Sequence, residues 1–124
     1  MLASEVVDDR VRVVLADTTP GATERWSDAV LFAWLNDGVQ LVARFRPEVM
    51  LSGFYRDDEI VEVTALTNTI SLPDRFRDAL VDFICGRALN QDSQDERDRK
   101  RAKEFLTSFA VKAGIPAFTV APRE

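Results

Sequence analysis

Residues 26–45 read WSDAVLFAWLNDGVQLVARF, and how this stretch is read decides the fold. Leu31, Trp34, Leu35, Gly38, Leu41, Val42 and Phe45 recur at three- and four-residue spacing, which is one face of an α-helix. Ser27 is a good N-cap residue. Trp26 before it is placed to staple onto Leu31. Gly38 falls inside the stripe, where a side chain is expected. A glycine there costs about 1 kcal/mol relative to alanine, and close approach of a second helix is a reason to keep it. Pro47 ends the helix.

Working outward, the segment from about Ala3 to Ala16 carries Val6, Val7, Val11, Val14 and Leu15 at helical spacing, with Glu5, Asp8, Asp9, Arg10 and Arg12 on the other face. VRVVL alone reads equally as a strand, but the whole window fits the 3.6 period better. DTTPGA then interrupts it. From Ser52 to Leu72 the pattern changes: Ile60, Val61, Val63, Leu66, Ile70 and Leu72 lie among threonines. This predicts an extended arm, two short strands turning near Thr67 and Asn68. Two strands alone are marginal in water, so the arm needs support from helices or from another chain.

Pro73 and Asp74 suit the first turn of a third helix, with Phe76, Leu80, Phe83, Ile84 and Ala88 facing the core and Cys85 packed as a small apolar residue. Ser93 and Glu96 have capping-box spacing and open a fourth helix with Ala102, Phe105, Leu106, Phe109 and Ala113 on one face. Gly114 is placed as its C′ residue, and Pro116 forbids continuation. The expected fold is mainly α: a small four-helix bundle over residues 1–113, an extended arm at about 52–72 between helices two and three, and an extended tail over 114–124.

The tail, GIPAFTVAPRE, is unusual in carrying Ile115, Phe118 and Val120. Burying each contributes roughly 1.5–3 kcal/mol, but ordering each residue's backbone costs about 1–2 kcal/mol. Side chains alone do not hold such a tail down. Backbone hydrogen bonds to a strand, or a groove on a partner, would. The other readings are a disordered end or a tail folded back on the chain's own helices.

The chemistry of the chain is sparse. It has 124 residues, 16 basic and 21 acidic, a net charge of −5, one cysteine and no histidine. Without histidine there is no Ser–His or Cys–His pair, and zinc lacks its usual ligands. No glycine-rich phosphate loop is present. The acidic groups Asp8-Asp9, Asp57-Asp58-Glu59 and Asp95-Glu96 read as solvated surface, helix capping or dipole compensation. A metal-dependent hydrolase built on Asp57, Asp58 and Glu59 is the weakest reading. No catalytic residue, metal or cofactor is expected. A lone cysteine, the absence of a signal-like start and the absence of a membrane-length apolar run point to a soluble, intracellularly made protein. The acidic balance argues against general DNA binding. The one basic run, Arg97, Arg99, Lys100, Arg101 and Lys103, reads either as a solvated helix face or as a contact for phosphate or an acidic surface. The latter supports an alternative function, a small helical nucleic-acid-binding regulator.

Two longer stretches add a family resemblance. RWSDAVLFAWLNDGVQLVARFRPEV, residues 25–49, resembles a motif of small helical phage proteins: Trp, a polar cap, Asp, then W-L-N-D-G and Arg-Pro. LPDRFRDALVDFICGRALNQDSQDERDRKRAKEFLTSF, residues 72–109, is similar to their second motif, with Leu-Pro leading an Ala-Leu-Val helix, an Arg-Ala-Leu, an Asp-rich turn and a last helix. The family is the head–tail connector, or adaptor, proteins of tailed bacteriophages. The two motifs cover about half of the chain, in the expected order.

The resemblance implies a ring, commonly dodecameric, below the portal protein at a capsid vertex. Such a ring extends the DNA channel, with genomic DNA passing without sequence-specific contact, and forms the platform for a tail or nozzle protein. It implies a virion component made in the host cytoplasm, with no membrane, cofactor or catalytic residue. The arm residues Ile60, Val61, Val63, Leu66 and Ile70 and the tail residues Ile115, Phe118 and Val120 would then reach neighbouring subunits, portal or tail.

Overall fold

The computed structural model describes residues 1–15, 26–46, 61–91 and 96–115, leaving aside the side chains of 91 and 96–98. The chain is mainly helical, with four helices and no strand among the described residues. Helix α1 runs through three consecutive pieces, an α turn Ala3–Val6, a π segment Val7–Val11 and a final α turn Arg12–Val14. Helix α2 is Asp28–Phe45. A 3₁₀ turn, Asp74–Phe76, leads into α3, Arg77–Gln91, and α4 is Glu96–Ala113.

The predicted caps are largely in place. Ser27 Oγ accepts the Val30 amide at 3.3 Å, and Trp26 and Leu31 both enter the core beside it. Pro73 stands one position earlier than expected, as the cap of the 3₁₀ turn rather than as a first helical residue. The expected capping box lies partly outside the described residues, since Ser93 does. So do Pro47, Ile60, the Asp57–Glu59 cluster, Asp95, Pro116, Phe118 and Val120.

Helix α1 departs from its sequence stripe. Val6, Val7 and Val11 are fully buried as expected, but Arg12 is buried while Val14 is 42 % exposed. The π segment is the cause. Its wider turn, closed by the Arg12 amide on the Val7 carbonyl, absorbs one extra residue and advances the face that follows it. Arg12 is thereby carried inward. It donates to the Trp26 carbonyl at 3.1 Å and to Asp28 at 2.5 Å, and Asp8 lies 3.5 Å from it. A buried guanidinium costs several kcal/mol unless its donors are met. Here they fasten α1 to the start of α2.

Helix α3 is the centre of the fold. Every residue from Ala79 to Gly86 is buried, together with Ala88 and Leu89. A helix that is covered all round packs on several neighbours, and α3 meets α1, α2 and α4. Two glycines set its spacing. A Cβ on Gly38 of α2 would sit 3.0 Å from Phe83 and 3.1 Å from Leu80. That is the close approach expected from the sequence. A Cβ on Gly86 would sit 2.6 Å from Leu106 Cγ and 3.2 Å from the Ala102 carbonyl on α4. Phe83 and Phe109 complete the core, with ring centroids 4.9 Å apart and planes tilted by 54°.

Candidate functional site

The W-L-N-D-G motif of α2 is where the arm meets the helices. Trp34 and Leu35 are core residues. Asn36 donates from its amide nitrogen to the Val63 carbonyl at 3.0 Å and accepts the Val63 amide at 2.8 Å. Its side chain thus pairs with the arm as a neighbouring strand would. Asp37 reaches Arg87 of α3 at 3.7 Å, and Gly38 admits α3. Each polar or small residue of the motif therefore joins α2 to another part of the chain. Asn36 was not singled out from the sequence. A short amide side chain between a core leucine and an aspartate carried no periodic signal.

The arm root, from residue 61 onward, is not a pair of strands. Its one ladder feature is an isolated bridge between Leu2 and Thr69. The turn falls where expected, but Asn68 closes it with its own side chain. Its Oδ1 accepts from the amides of Thr64 and Ala65 and from the Thr64 hydroxyl, at 2.8 to 3.2 Å. The arm's backbone then serves α1. The N-cap position of α1 is Leu2, whose side chain cannot cap. Its open amides are met instead by arm carbonyls: Ala3 donates to Asn68 at 2.8 Å and Ser4 to Leu66 at 3.0 Å. Ile70 donates in turn to the Met1 carbonyl at 2.9 Å.

These bonds explain why the described part of the arm, residues 61–72, forms no strand. Side-chain amides and a helix end take the groups that a second strand would have taken. Of the arm residues expected to reach a neighbour, Val63 and Ile70 are buried against this chain's own helices, Leu66 is half-buried, and Val61 is 62 % exposed.

The tail root is equally fixed. Gly114 has φ of +69°, its amide donates to Val111 at 3.2 Å, and the Ile115 amide donates to Ala110 at 3.0 Å. This is a Schellman motif, in which the residue after the glycine packs back on the helix. Ile115 does so and is buried. It belongs to the helical core rather than to a docking tail. Arg46, just past α2, donates to the Ala113 carbonyl at 2.9 Å and crowds the space a Cβ on Gly114 would need.

Helix α4 presents its basic run outward. Arg99, Lys100, Arg101 and Lys103 are exposed, with Ala102 alone turned inward among them. One polar group sits below this surface. Asp82 of α3 is buried and accepts from Ser108 at 2.7 Å and from the Lys112 ammonium at 2.8 Å. The bond to Asp82 holds the Lys112 ammonium above the usual lysine range against the opposing effect of burial. Nearby Cys85 is pushed up to about 12, first by burial and then by the charge of Asp82. Such a thiol is inert. At the opposite end of α3, Asp74 accepts from the Met1 amine at 2.9 Å, and this hydrogen bond holds its carboxyl below the usual value.

An open groove of about 580 Å³ runs between α2 and α3, lined by Asp37, Gln40, Leu41, Arg44, Phe83 and Arg87. Among the described residues, no group of three or more Cys, Asp or Glu side chains is placed to hold a metal, and no helix is long and apolar enough to cross a membrane.

No family model, curated protein or solved structure matches this chain. Its functional reading therefore rests on its own residues.

Proposed function

We propose that this chain is a structural subunit of a phage head–tail connector. It would assemble as a ring under the portal, extend the DNA channel and offer the platform for tail attachment. The observation that carries the reading is how the two resembling stretches are used. Residues 25–49 supply α2, and residues 72–109 supply α3 and most of α4. They pack on one another through Gly38 and Gly86, at positions belonging to those stretches. The W-L-N-D-G run of α2 thus serves as an inter-helix and arm-anchoring device, in keeping with a scaffold role. The arm and the tail leave this scaffold from fixed roots at Val61 and Ile115, and in this reading their outer parts, Ile60 and Phe118 with Val120, reach neighbours.

The test is mass photometry of the protein mixed with the portal ring encoded beside it. A portal peak that gains a fixed multiple of 13.9 kDa is the expected outcome. A portal peak that never shifts, across protein concentration and salt, refutes the reading. Truncation after Ile115 then separates docking from folding. The cap and core stay complete, so the shortened chain is expected to remain helical and to lose portal attachment.

A further inference from the structure

We infer that the exposed cations opening α4, Arg99, Lys100, Arg101 and Lys103, form a contact for the phosphate backbone of duplex nucleic acid. The inference stands on this face alone and holds whether or not the connector reading does.

The first support is a contrast in how the protein treats its cations. Arg10 pairs with Asp78, Arg12 with Asp28, Arg77 with Glu5, Arg87 with Asp37 and Lys112 with Asp82. Arg46 is committed to a backbone carbonyl. Arg44 and Arg75 also form no ion pair with a described residue, but they lie apart, on α2 and in the 3₁₀ turn, whereas α4 brings four such cations together. The four cations of α4 make no ion pair with any described residue. Even Glu104, one turn beyond Lys100, forms none with it. Four like charges within five residues repel one another. Helix stability does not account for placing them there. A bound polyanion would relieve that repulsion.

The surroundings select the kind of polyanion. A protein interface has an apolar centre, yet the exposed residues from Arg99 to Glu104 are all charged, and Val111 is two turns further along the helix. Single-stranded nucleic acid is held by exposed aromatic side chains. The one aromatic residue of this stretch, Phe105, is half-buried against the core and lines a shallow pocket with the acidic Asp82 and Glu104 beside Arg101, rather than standing out as a stacking platform. Base-edge recognition supplements arginine with amide side chains, and the stretch from Arg99 to Glu104 holds no Asn or Gln. What is left is a compact, wholly charged surface, which matches a sugar–phosphate backbone read without regard to sequence. The overall charge of −5 keeps the affinity local and strongly dependent on salt.

The experiment is fluorescence anisotropy of a labelled duplex with the full chain across a salt series. Binding at low salt is expected, with a log–log slope between about −2 and −4, because each phosphate neutralised contributes about 0.9. Lys100→Glu with Lys103→Glu is expected to weaken binding at least about tenfold and to flatten the slope by about two. Lys100→Gln with Lys103→Gln gives the same direction if charge reversal disturbs the fold, which circular dichroism reports. Arg44→Glu with Arg75→Glu changes net charge equally at other exposed positions and is expected to leave binding within about twofold, since no phosphate contact is removed.

No duplex binding at low salt overturns the inference. So does equal weakening by the control pair, which would assign the effect to net charge. Tighter binding of a single-stranded oligonucleotide, or of polyglutamate at equal charge, would assign the face to another partner and also overturns it.

Discussion

Gly86→Ala tests how closely α3 and α4 are packed. The added methyl would lie 2.6 Å from Leu106 Cγ, 2.9 Å from its Cδ2 and 3.2 Å from the Ala102 carbonyl. Leu106 is 4 % exposed, and its Cγ is one bond from the root of the side chain, so it cannot swing clear. The carbonyl belongs to the α4 backbone and moves only with the helix. Overpacking of this kind costs about 1–3 kcal/mol, while replacing a helical glycine by alanine returns about 1 kcal/mol. The clash is severe, so net destabilisation of about 1–2 kcal/mol is expected.

Leu106→Ala alone should cost about 2–5 kcal/mol through the cavity it leaves. In the double variant the new methyl points into that cavity. The two effects should then fall short of additivity by about 0.5–3 kcal/mol, the range seen for residues in contact. Urea unfolding followed by far-ultraviolet circular dichroism measures all four proteins, provided the denaturant slopes agree. A Gly86→Ala protein as stable as the parent, together with a strictly additive double variant, would refute the close α3–α4 contact.

Two other expectations follow from single contacts. Asn36→Ala removes both bonds to Val63 and leaves a buried backbone amide and carbonyl unmet, at about 1–3 kcal/mol. Hydrogen exchange of the Val63 amide should accelerate, and an unchanged rate would exclude the anchor. The Cys85 thiol, raised from its usual 9.0 to about 12, makes stability depend on alkaline pH. Below pH 9 both folded and unfolded thiols are protonated and nothing changes. Between 9 and 12 only the unfolded chain releases the proton, so stability falls by about 1.4 kcal/mol per pH unit and levels above 12. Unfolding midpoints of the parent and of Cys85→Ala should therefore diverge from pH 9 upward, and parallel curves would count against it. The same thiol should react with a disulfide reagent at pH 8 only after urea is added.

The parts of this fold that were legible in the sequence are those written as period and punctuation. Most of the α2 stripe, the Ser27 cap, the Gly38 contact, the Gly114 cap and the buried Cys85 announce themselves by spacing or by residue type, although Phe45 of that stripe is 43 % exposed while Phe32 and Val39 outside it are buried. What was hidden depends on geometry that one residue can change. A single π turn in α1 exchanged Val14 for Arg12 at the core, because a helical stripe assumes a uniform turn. The extended arm read as strands because valine, isoleucine and threonine favour them. The competing amides of Asn36 and Asn68 look like ordinary polar residues until their partners are placed. Ile115 read as part of a tail, and only the hydrogen bonds beyond Gly114 show that the helix claims it. Asp82 was hidden by a helix buried on every side, where stripe analysis has no polar face to subtract. The basic run was visible as composition. That its four described cations stand together without ion-pair partners became visible only beside the five cations that have them.

The anchorage of the arm root has a mechanical consequence. Val63 is tied to α2, residues 66 and 68 to the first turn of α1, and residue 70 to the chain start. A pull entering at Val61 meets first the bond its own amide donates to Ser71 Oγ at 3.1 Å, and then the Asn36 pair, which it loads in shear with both bonds stretched together. Only after that pair parts does tension pass along the segment to α1, whose first amides are held by nothing else in the described chain than those arm carbonyls. Yielding would thus be sequential, and the end of α1 would unwind as the arm came away. The segment runs on through Ser71 into the 3₁₀ turn and α3, whose burial against its neighbours would keep it packed while the outer attachment gave.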